Sequence, residues 1–181
     1  LRAAEMQPIR VMQELAPVNA YRTQEGRWIF DLGQNFAGKV RLTAYGPAGS
    51  EIVLRYCEDL TGDGQHVEQK HISGFVRTGE FQTDKYIKKS DGPEEWTPQF
   101  VYHGFRYVEA DTDSLIFQGL PEELPGPCIM GLVMHTSFER TGHFECSDDT
   151  LMTIQRLCHW SSISNCQGVP TDCPHREKNA W

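Results

Sequence analysis

The chain has 181 residues, 39% hydrophobic and 23% charged, with nine Phe, six Tyr and four Trp, enough apolar material for a packed core and against wholesale disorder. A formal net charge of −8 without any Lys/Arg cluster argues against a nucleic-acid or anionic-membrane surface, both of which rely on positive charge. No apolar run approaches the length of a membrane span, and neutral, hydroxyl-rich ligands stay open.

Residues 1–26 are polar and Pro-containing, and read as a linker or as a strand belonging to a preceding domain. They open with neither an initiator Met nor a signal-peptide core. The chain is therefore expected to be the middle of a longer protein, and it names no compartment. From residue 27 the pattern turns to β. "RWIFDLGQNFAG" reads as an apolar strand ending in a Gly/Asn turn, with Asn35 and Gly38 shaping that turn. "KVRLTAYGPAG" sets Val40, Leu42 and Ala44 against Lys39, Arg41 and Thr43, and "SEIVLRYCE" sets Ile52, Leu54 and Tyr56 against Val53 and Arg55. Alternation of period two bounded by Gly/Pro turns is the mark of half-buried antiparallel strands. "DLTGDGQHVEQKHISGFVRTG" is long, polar and Gly-containing, an excursion loop. Around "CEDLTGDG" at its start, Glu58, Asp59 and Asp63 offer oxygen ligands, but the spacing of an EF-hand is absent. "KYIKK", "QFVYHGFRYVEA" and "CIMGLVMHTSFERTGHFECS" supply further strands. The fold class expected is mainly β, an antiparallel β-sandwich over residues 27–140. Within it, His103 reads as a hydrogen-bonded strand histidine rather than a ligand contact. Trp28, Trp96 and Trp160 read as packing residues rather than sugar platforms.

The period then changes. Leu151, Ile154, Leu157 and Ile163 recur at helical spacing, with Cys158 and Ser161 on the same face, which predicts a helix over 147–167. Ser147 is the expected N-cap, Asp148 and Asp149 suit the positive helix start, and Gly168 and Pro170 end it. One amphipathic helix after a complete sandwich has little to pack on, so most of its partner is expected to lie outside the chain. The six cysteines are too sparse for a disulfide scaffold. Cys158, Cys166 and Cys173 with His159 and His175 suggest zinc, but there is no C-x-x-C and no H-x-x-x-H pair, so no metal site is expected.

The last stretch, "VPTDCPHREKNAW", concentrates polar chemistry. Asp172 and Glu177 lie five apart, with Arg176 beside the Glu and Trp181 offering a ring face. Glycosidic cleavage needs a carboxylic acid to protonate the leaving oxygen and a carboxylate to activate water. A neighbouring carboxylate or Arg can set which group holds a proton. On spacing alone, a solvated polar tail accounts for the same residues.

"FDLGQNFAGKVRL", "LRYCEDLTGDG", "TDKY", "EEWTPQFVYHGFRYVEA", "GHFECSDDTLMTIQ" and "VPTDCPHREKNAW" occur in this order. Together they resemble bacterial α-L-rhamnosidases, inverting glycoside hydrolases with a six-hairpin (α/α)6 catalytic toroid, over residues 27–181. The resemblance implies a concanavalin-like β-domain followed, over 141–181, by the first helix of a truncated toroid. It implies that Glu177 is the general acid, that Asp172 holds sugar hydroxyls, that Arg176 orients the acids and that Trp181 lines the sugar pocket. It implies a rhamnose-containing carbohydrate or glycoside as partner and no metal or organic cofactor. Oligomeric state is left open. Many members read Arg-Asp-Glu-Arg where this chain has Arg176-Glu177-Lys178, and Leu-Gly-Trp where it has Asn179-Ala180-Trp181. The family has another acid just after the Trp, which leaves a second candidate for the proton donor, and a water-activating Glu several hundred residues on. The chain alone is accordingly expected to be inactive. The alternative reading is a non-catalytic module that binds carbohydrate or braces the toroid.

Overall fold

The computed structural model describes residues 5–74, 80–111 and 128–180. Its eight main strands are β1 (Ile9–Leu15), β2 (Asn19–Arg22), β3 (Trp28–Ala44), β4 (Glu51–Cys57), β5 (Thr83–Ile87), β6 (Glu94–Trp96), β7 (His103–Asp111) and β8 (Ile129–Thr136). Helix α1 (Asp149–Ser164) follows, then the short strands β9 (Cys166–Gln167) and β10 (Val169–Pro170). The main sheet runs β1-β8-β3-β7-β4-β5, with β2 and β6 also paired to β3. Each of these pairings is antiparallel, so the mainly-β, sandwich-like fold expected from the alternation forms, with one helix after it.

β3 organises the sheet. It carries 17 residues and takes β2 and β7 along its first part and β8 and β6 along its last. The Gly/Asn signal that reads as a turn does not end the strand. Asp31 faces Tyr107 and Phe36 faces Phe105, so residues 32–35 bulge opposite Arg106. Gly33 adopts φ +74° there, and Asp31 clamps the bulge by accepting from the Gly33 N–H at 2.7 Å and from both arms of Arg106 at 2.8 Å. A bulge and a turn call on the same residue types, because both need a left-handed backbone position.

Gly38 is not in a turn either. It lies where β3 pairs with His103 of β7 and Val133 of β8 at once. A Cβ there would stand 2.0 Å from the Leu132 carbonyl oxygen. Residues 9–22, read from the sequence as linker or borrowed strand, lie in this same sheet as β1 and β2.

The core is built from the alternating positions. Phe36, Val40 and Leu42 of β3, Ile52, Leu54 and Tyr56 of β4, Phe105 and Val108 of β7, and Ile129 and Val133 of β8 form one buried cluster. Phe105 packs between Phe36 and Tyr56, with ring centroids 4.6 and 4.8 Å away. Trp28, Trp96 and Trp160 pack against this cluster. The excursion loop is tied down by the buried carboxylate of Glu109, which meets Arg27 at 2.9 Å, Arg55 at 3.2 Å and the Val67 N–H at 3.1 Å.

α1 starts two residues later and ends three residues earlier than expected. Asp148, not Ser147, is the N-cap, and its Oδ1 accepts from the N–H groups of Thr150 and Leu151. Only Ile163 and Ser164 of α1 are buried, whereas Leu151, Ile154 and Leu157 are 48%, 50% and 59% exposed. The apolar face seen in the sequence is thus covered at Ile163 and left about half exposed at Leu151, Ile154 and Leu157 among the described residues.

Two outcomes follow from this packing. Gly38→Ala should destabilise the protein by about 2 kcal/mol or more, since the added methyl meets backbone and not a movable side chain. Gly62→Ala, where an added Cβ meets nothing within 4 Å, should stay within about 0.5 kcal/mol of the parent; equal effects in urea unfolding would contradict the sheet register. The second concerns Glu94, which accepts from the Ser90 N–H at 2.7 Å and hydroxyl at 2.5 Å, from the Lys89 N–H and from the Tyr86 hydroxyl. The Ser90 and Tyr86 hydroxyls hold its pKa down at about 2 against an ordinary 4.5, and burial together with Glu94 pushes Tyr86 up to about 12. A depressed carboxylate contributes its stability above its unfolded pKa and loses it as pH falls toward the folded one. The stability gap between the parent and Glu94→Gln should therefore be constant above about pH 5 and shrink steadily between about pH 4.5 and 2. A gap that does not move with pH would show that Glu94 is not held ionised.

Candidate active site

After α1 the chain turns at Gly168, φ +81°, into the β9–β10 hairpin, in which Val169 pairs Gln167 and Pro170 pairs Cys166. The hairpin is fastened to β8: the Thr136 hydroxyl donates to the Cys166 carbonyl at 2.9 Å and accepts from the Gly168 N–H at 2.8 Å. The Gln167 amide donates to the Met134 carbonyl at 2.7 Å. A bridge between Thr171 and Ala180 then closes a loop over residues 172–179.

Asp172 stands at the neck of this loop. Its Oδ1 accepts from the N–H groups of Cys173 at 2.8 Å and Asn179 at 3.1 Å, while its own N–H donates to the Asn179 carbonyl. Glu177 comes back to the same point. Its Oε2 lies 3.6 Å from the Cys173 thiol and 3.9 Å from Arg176 Nη2. A hydrogen bond with Glu177, helped by the Cys173 and Asn179 N–H groups, holds the Asp172 carboxyl below its usual range against some desolvation. Partial burial raises the Cys173 thiol, but the N–H groups of residues 176–178 outweigh it and lower its pKa overall. Asp172, Arg176 and Glu177 are thus brought together at one exposed rim. Trp181 lies outside the described residues.

The loop rests on the sheet at three points. Pro174 covers Gly104 of β7 so closely that a Cβ on Gly104 would be 2.7 Å from its Cγ. The His175 ring meets Glu58, just past β4, at 3.5 Å, and Glu58 also accepts from Asn35 of the β3 bulge at 2.9 Å. Glu58 raises the His175 pKa; in return, His175 and Asn35 lower Glu58 despite the desolvation that opposes them. The Lys178 ammonium donates to the Tyr102 carbonyl at 2.6 Å and sits 4.5 Å from the centre of its ring. Gln34, Asn35, Glu58, Trp160, Ser164 and Pro174 line a cleft of about 220 Å³ between the bulge, α1 and this loop.

Glu58, Tyr102 and Lys178 do not stand out from local spacing as supports of this loop. Gly104 alone carries a signal, since an isolated Gly within a strand pattern marks close backbone approach. His103 is buried beneath the loop, its Nε2 3.0 Å from Asp84 and its ring stacked 4.3 Å from Tyr56. Glu58, Asp59 and Asp63 each have partners of their own, Glu58 with Asn35 and His175 as above. Asp59 accepts from the Leu60 N–H, and Asp63 accepts from the Thr61 hydroxyl and the Gln65 N–H. One atom each of Asp172, Cys173 and Glu177 falls within 4.8 Å of the others, a set already explained by the hydrogen bonds above. Cys158, Cys166, His159 and His175 do not join it.

Comparison with known proteins bears on this arrangement. Residues 21–122 match the bacterial α-L-rhamnosidase concanavalin-like domain, and residues 139–181 match the bacterial α-L-rhamnosidase six-hairpin glycosidase domain. The chain is 34% identical to an α-L-rhamnosidase of Formosa agariphila, covering all of this chain and 18% of that protein. It is 35% identical to one of Streptomyces avermitilis, over 96% of this chain and 16% of that one. The solved α-L-rhamnosidase from Dictyoglumus thermophilum superposes with a TM-score of 0.81 at 33% identity, over 96% of this chain and 18% of that one. The Streptomyces avermitilis α-L-rhamnosidase complexed with L-rhamnose also gives 0.81, at 34% identity, with 96% and 16% covered. The chain therefore spans less than a fifth of the length of these relatives.

The seat of Pro174 on Gly104 can be tested directly. In Gly104→Ala the loop must lift, and the amides of Cys173 and Asn179, held by Asp172, should exchange with solvent about ten-fold faster or more. The amides of β4 should hardly change. Unaltered exchange at Cys173 and Asn179 would mean that the loop is held elsewhere.

Proposed function

The chain belongs to the bacterial α-L-rhamnosidase family, and on that premise we propose that it carries the β-domain and the acid-bearing loop of a hydrolase that removes terminal α-linked L-rhamnose with inversion. Glu177 protonates the leaving glycosidic oxygen. Asp172 holds sugar hydroxyls. Arg176, beside the acid, orients it, and Trp181 supplies an apolar ring to the sugar. The reaction needs no metal or organic cofactor.

One observation carries this division of roles: the closeness of the two carboxyl groups. An inverting site keeps its acid and base about 6.5–9.5 Å apart so that a water fits on the far face of the sugar. One oxygen each of Asp172 and Glu177 lies within 4.8 Å of the other. They are too close to be that pair. Asp172, held ionised and pinned by two backbone N–H groups, is an acceptor for hydroxyl donors. The carboxylate that activates water then belongs to another part of the fold, in keeping with relatives more than five times as long as this chain. A negatively charged protein surface also suits a neutral sugar better than an anionic ligand.

The roles separate by leaving group in the full-length hydrolase. Glu177→Gln keeps shape but cannot give up a proton, so turnover of a rhamnoside with a poor leaving group should fall roughly 10²–10⁴-fold. An activated aryl rhamnoside should suffer far less. Asp172→Asn should slow both substrates alike and weaken binding. If Asp172→Asn shows the leaving-group dependence and Glu177→Gln does not, the two roles are exchanged. If neither does, the proton comes from another acid.

A further inference from the structure

Glu177 is followed by a residue in an unusual state. Lys178 is one of three non-Gly residues among those described with positive φ, at +53°. A side chain in the left-handed region costs free energy and persists only where its surroundings enforce it. The enforcement is visible: the side chain leaves the loop and enters the β-domain. There its ammonium takes the Tyr102 carbonyl at 2.6 Å and the Tyr102 ring at 4.5 Å. Asp84, itself bonded to His103 at 3.0 Å, lies close enough to act on it electrostatically. The mechanical link to the acid is short. Glu177 directly precedes Lys178, and its carboxylate lies 3.6 Å from the Cys173 thiol, whose pKa the N–H groups of residues 176–178 lower.

We propose that Lys178 is a positioning residue: its half-buried ammonium, seated on Tyr102 of the β-domain, holds the left-handed turn that aims the Glu177 carboxyl at the substrate. The inference rests on Glu177 acting as the acid, and it gives the β-domain a part in the chemistry through one cation. Lys178 itself touches neither sugar nor reacting atoms. Burial lowers its pKa, with Asp84 and Cys173 opposing. A desolvated ammonium that still keeps a short carbonyl bond resists displacement by water, as an anchor must.

Two substitutions separate the anchor from the strain. Lys178→Met removes the donor and keeps the side-chain length. Lys178→Gly removes the donor and also abolishes the left-handed penalty, so it should unfold at no lower temperature than Lys178→Met. In both, the Asn179 amide should exchange about ten-fold faster than in the parent chain. In the full-length hydrolase, kcat on a poor-leaving-group rhamnoside should drop about ten- to a hundred-fold with KM little changed, as misplacement of a catalytic group by a fraction of an ångström does. An activated aryl rhamnoside should be much less affected. Lys178→Arg, which keeps a cation for the carbonyl and ring, should recover most of the rate. Unchanged Asn179 exchange in Lys178→Gly, or a kcat loss equal for both leaving groups, overturns the proposal. Faster exchange in these variants together with a harmless Glu177→Gln would sink the acid assignment and leave the anchor standing.

Discussion

The loop that carries Asp172 and Glu177 lies where it does because one residue of the sheet has no side chain. Gly104 leaves bare backbone on β7, and Pro174 fills the space that a Cβ would need. The backbone of Gly104 is not left unpaired beneath the proline. Gln82 accepts from its N–H at 2.8 Å and donates to its carbonyl at 3.0 Å, a side-chain amide doing the work of a neighbouring strand. Gln82 is buried and holds a left-handed φ of +39° to do so. A closed, flat patch results, on which a rigid pyrrolidine ring can sit without stranding a polar group. Tyr102, two residues before Gly104, is then the nearest place for a cation from the same loop.

The other anchor grows out of the bulge in β3. Four residues stand opposite one there, and the Asp31–Arg106 pair fixes how they leave the sheet. The departure presents Asn35 to Glu58, and Glu58 to His175. Each group in this relay lowers the cost of the next. Burial raises the Glu58 pKa while His175 and Asn35 lower it, and Glu58 in turn raises that of His175. Taken singly the His175 contact is long, 3.5 Å, which limits its strength. Its value is directional: with Pro174 and Lys178 on either side, it leaves the loop little freedom to rock.

Most of the sheet was legible because burial writes itself into alternation. Val40, Leu42 and Ala44, then Ile52, Leu54 and Tyr56, are all buried as their period-two pattern requires. The length of β3 was not legible, since Gly33, Asn35 and Gly38 serve equally as turn, bulge or close-approach residues and only the partner strands decide. β1 and β2 were missed as members of this sheet for a related reason. Every residue of β1 before Leu15 is exposed, so an edge strand shows no alternation to read. The helix was legible to within two or three residues at its ends, and two adjacent acceptors, Ser147 and Asp148, competed for the cap. At the site, Asp172, Arg176 and Glu177 were found through a motif. Glu58, Tyr102 and Gly104 were not, because their partners are 70 to 117 positions away in the chain and no local pattern records such a meeting.

How the loop and α1 are held differs, and the difference bears on what the β-domain contributes. α1 touches the sheet mainly through its last turns: Trp160 packs on the core, and Ile163 and Ser164 are buried. Its first three turns present Leu151, Ile154 and Leu157 to solvent. An apolar stripe of that kind gains free energy from any surface able to cover it, and it lies in the stretch that matches the six-hairpin glycosidase domain. The loop over residues 172–179 needs no such cover. Its hydrogen bonds close within the loop, and its three supports all come from strands or strand ends of the β-domain. Geometry at Glu177 is thereby set from the sheet side, before any further helix is counted. A β-domain that only braced a toroid from outside would have no reason to half-bury a lysine adjacent to the proposed acid or to keep Gly104 bare beneath Pro174.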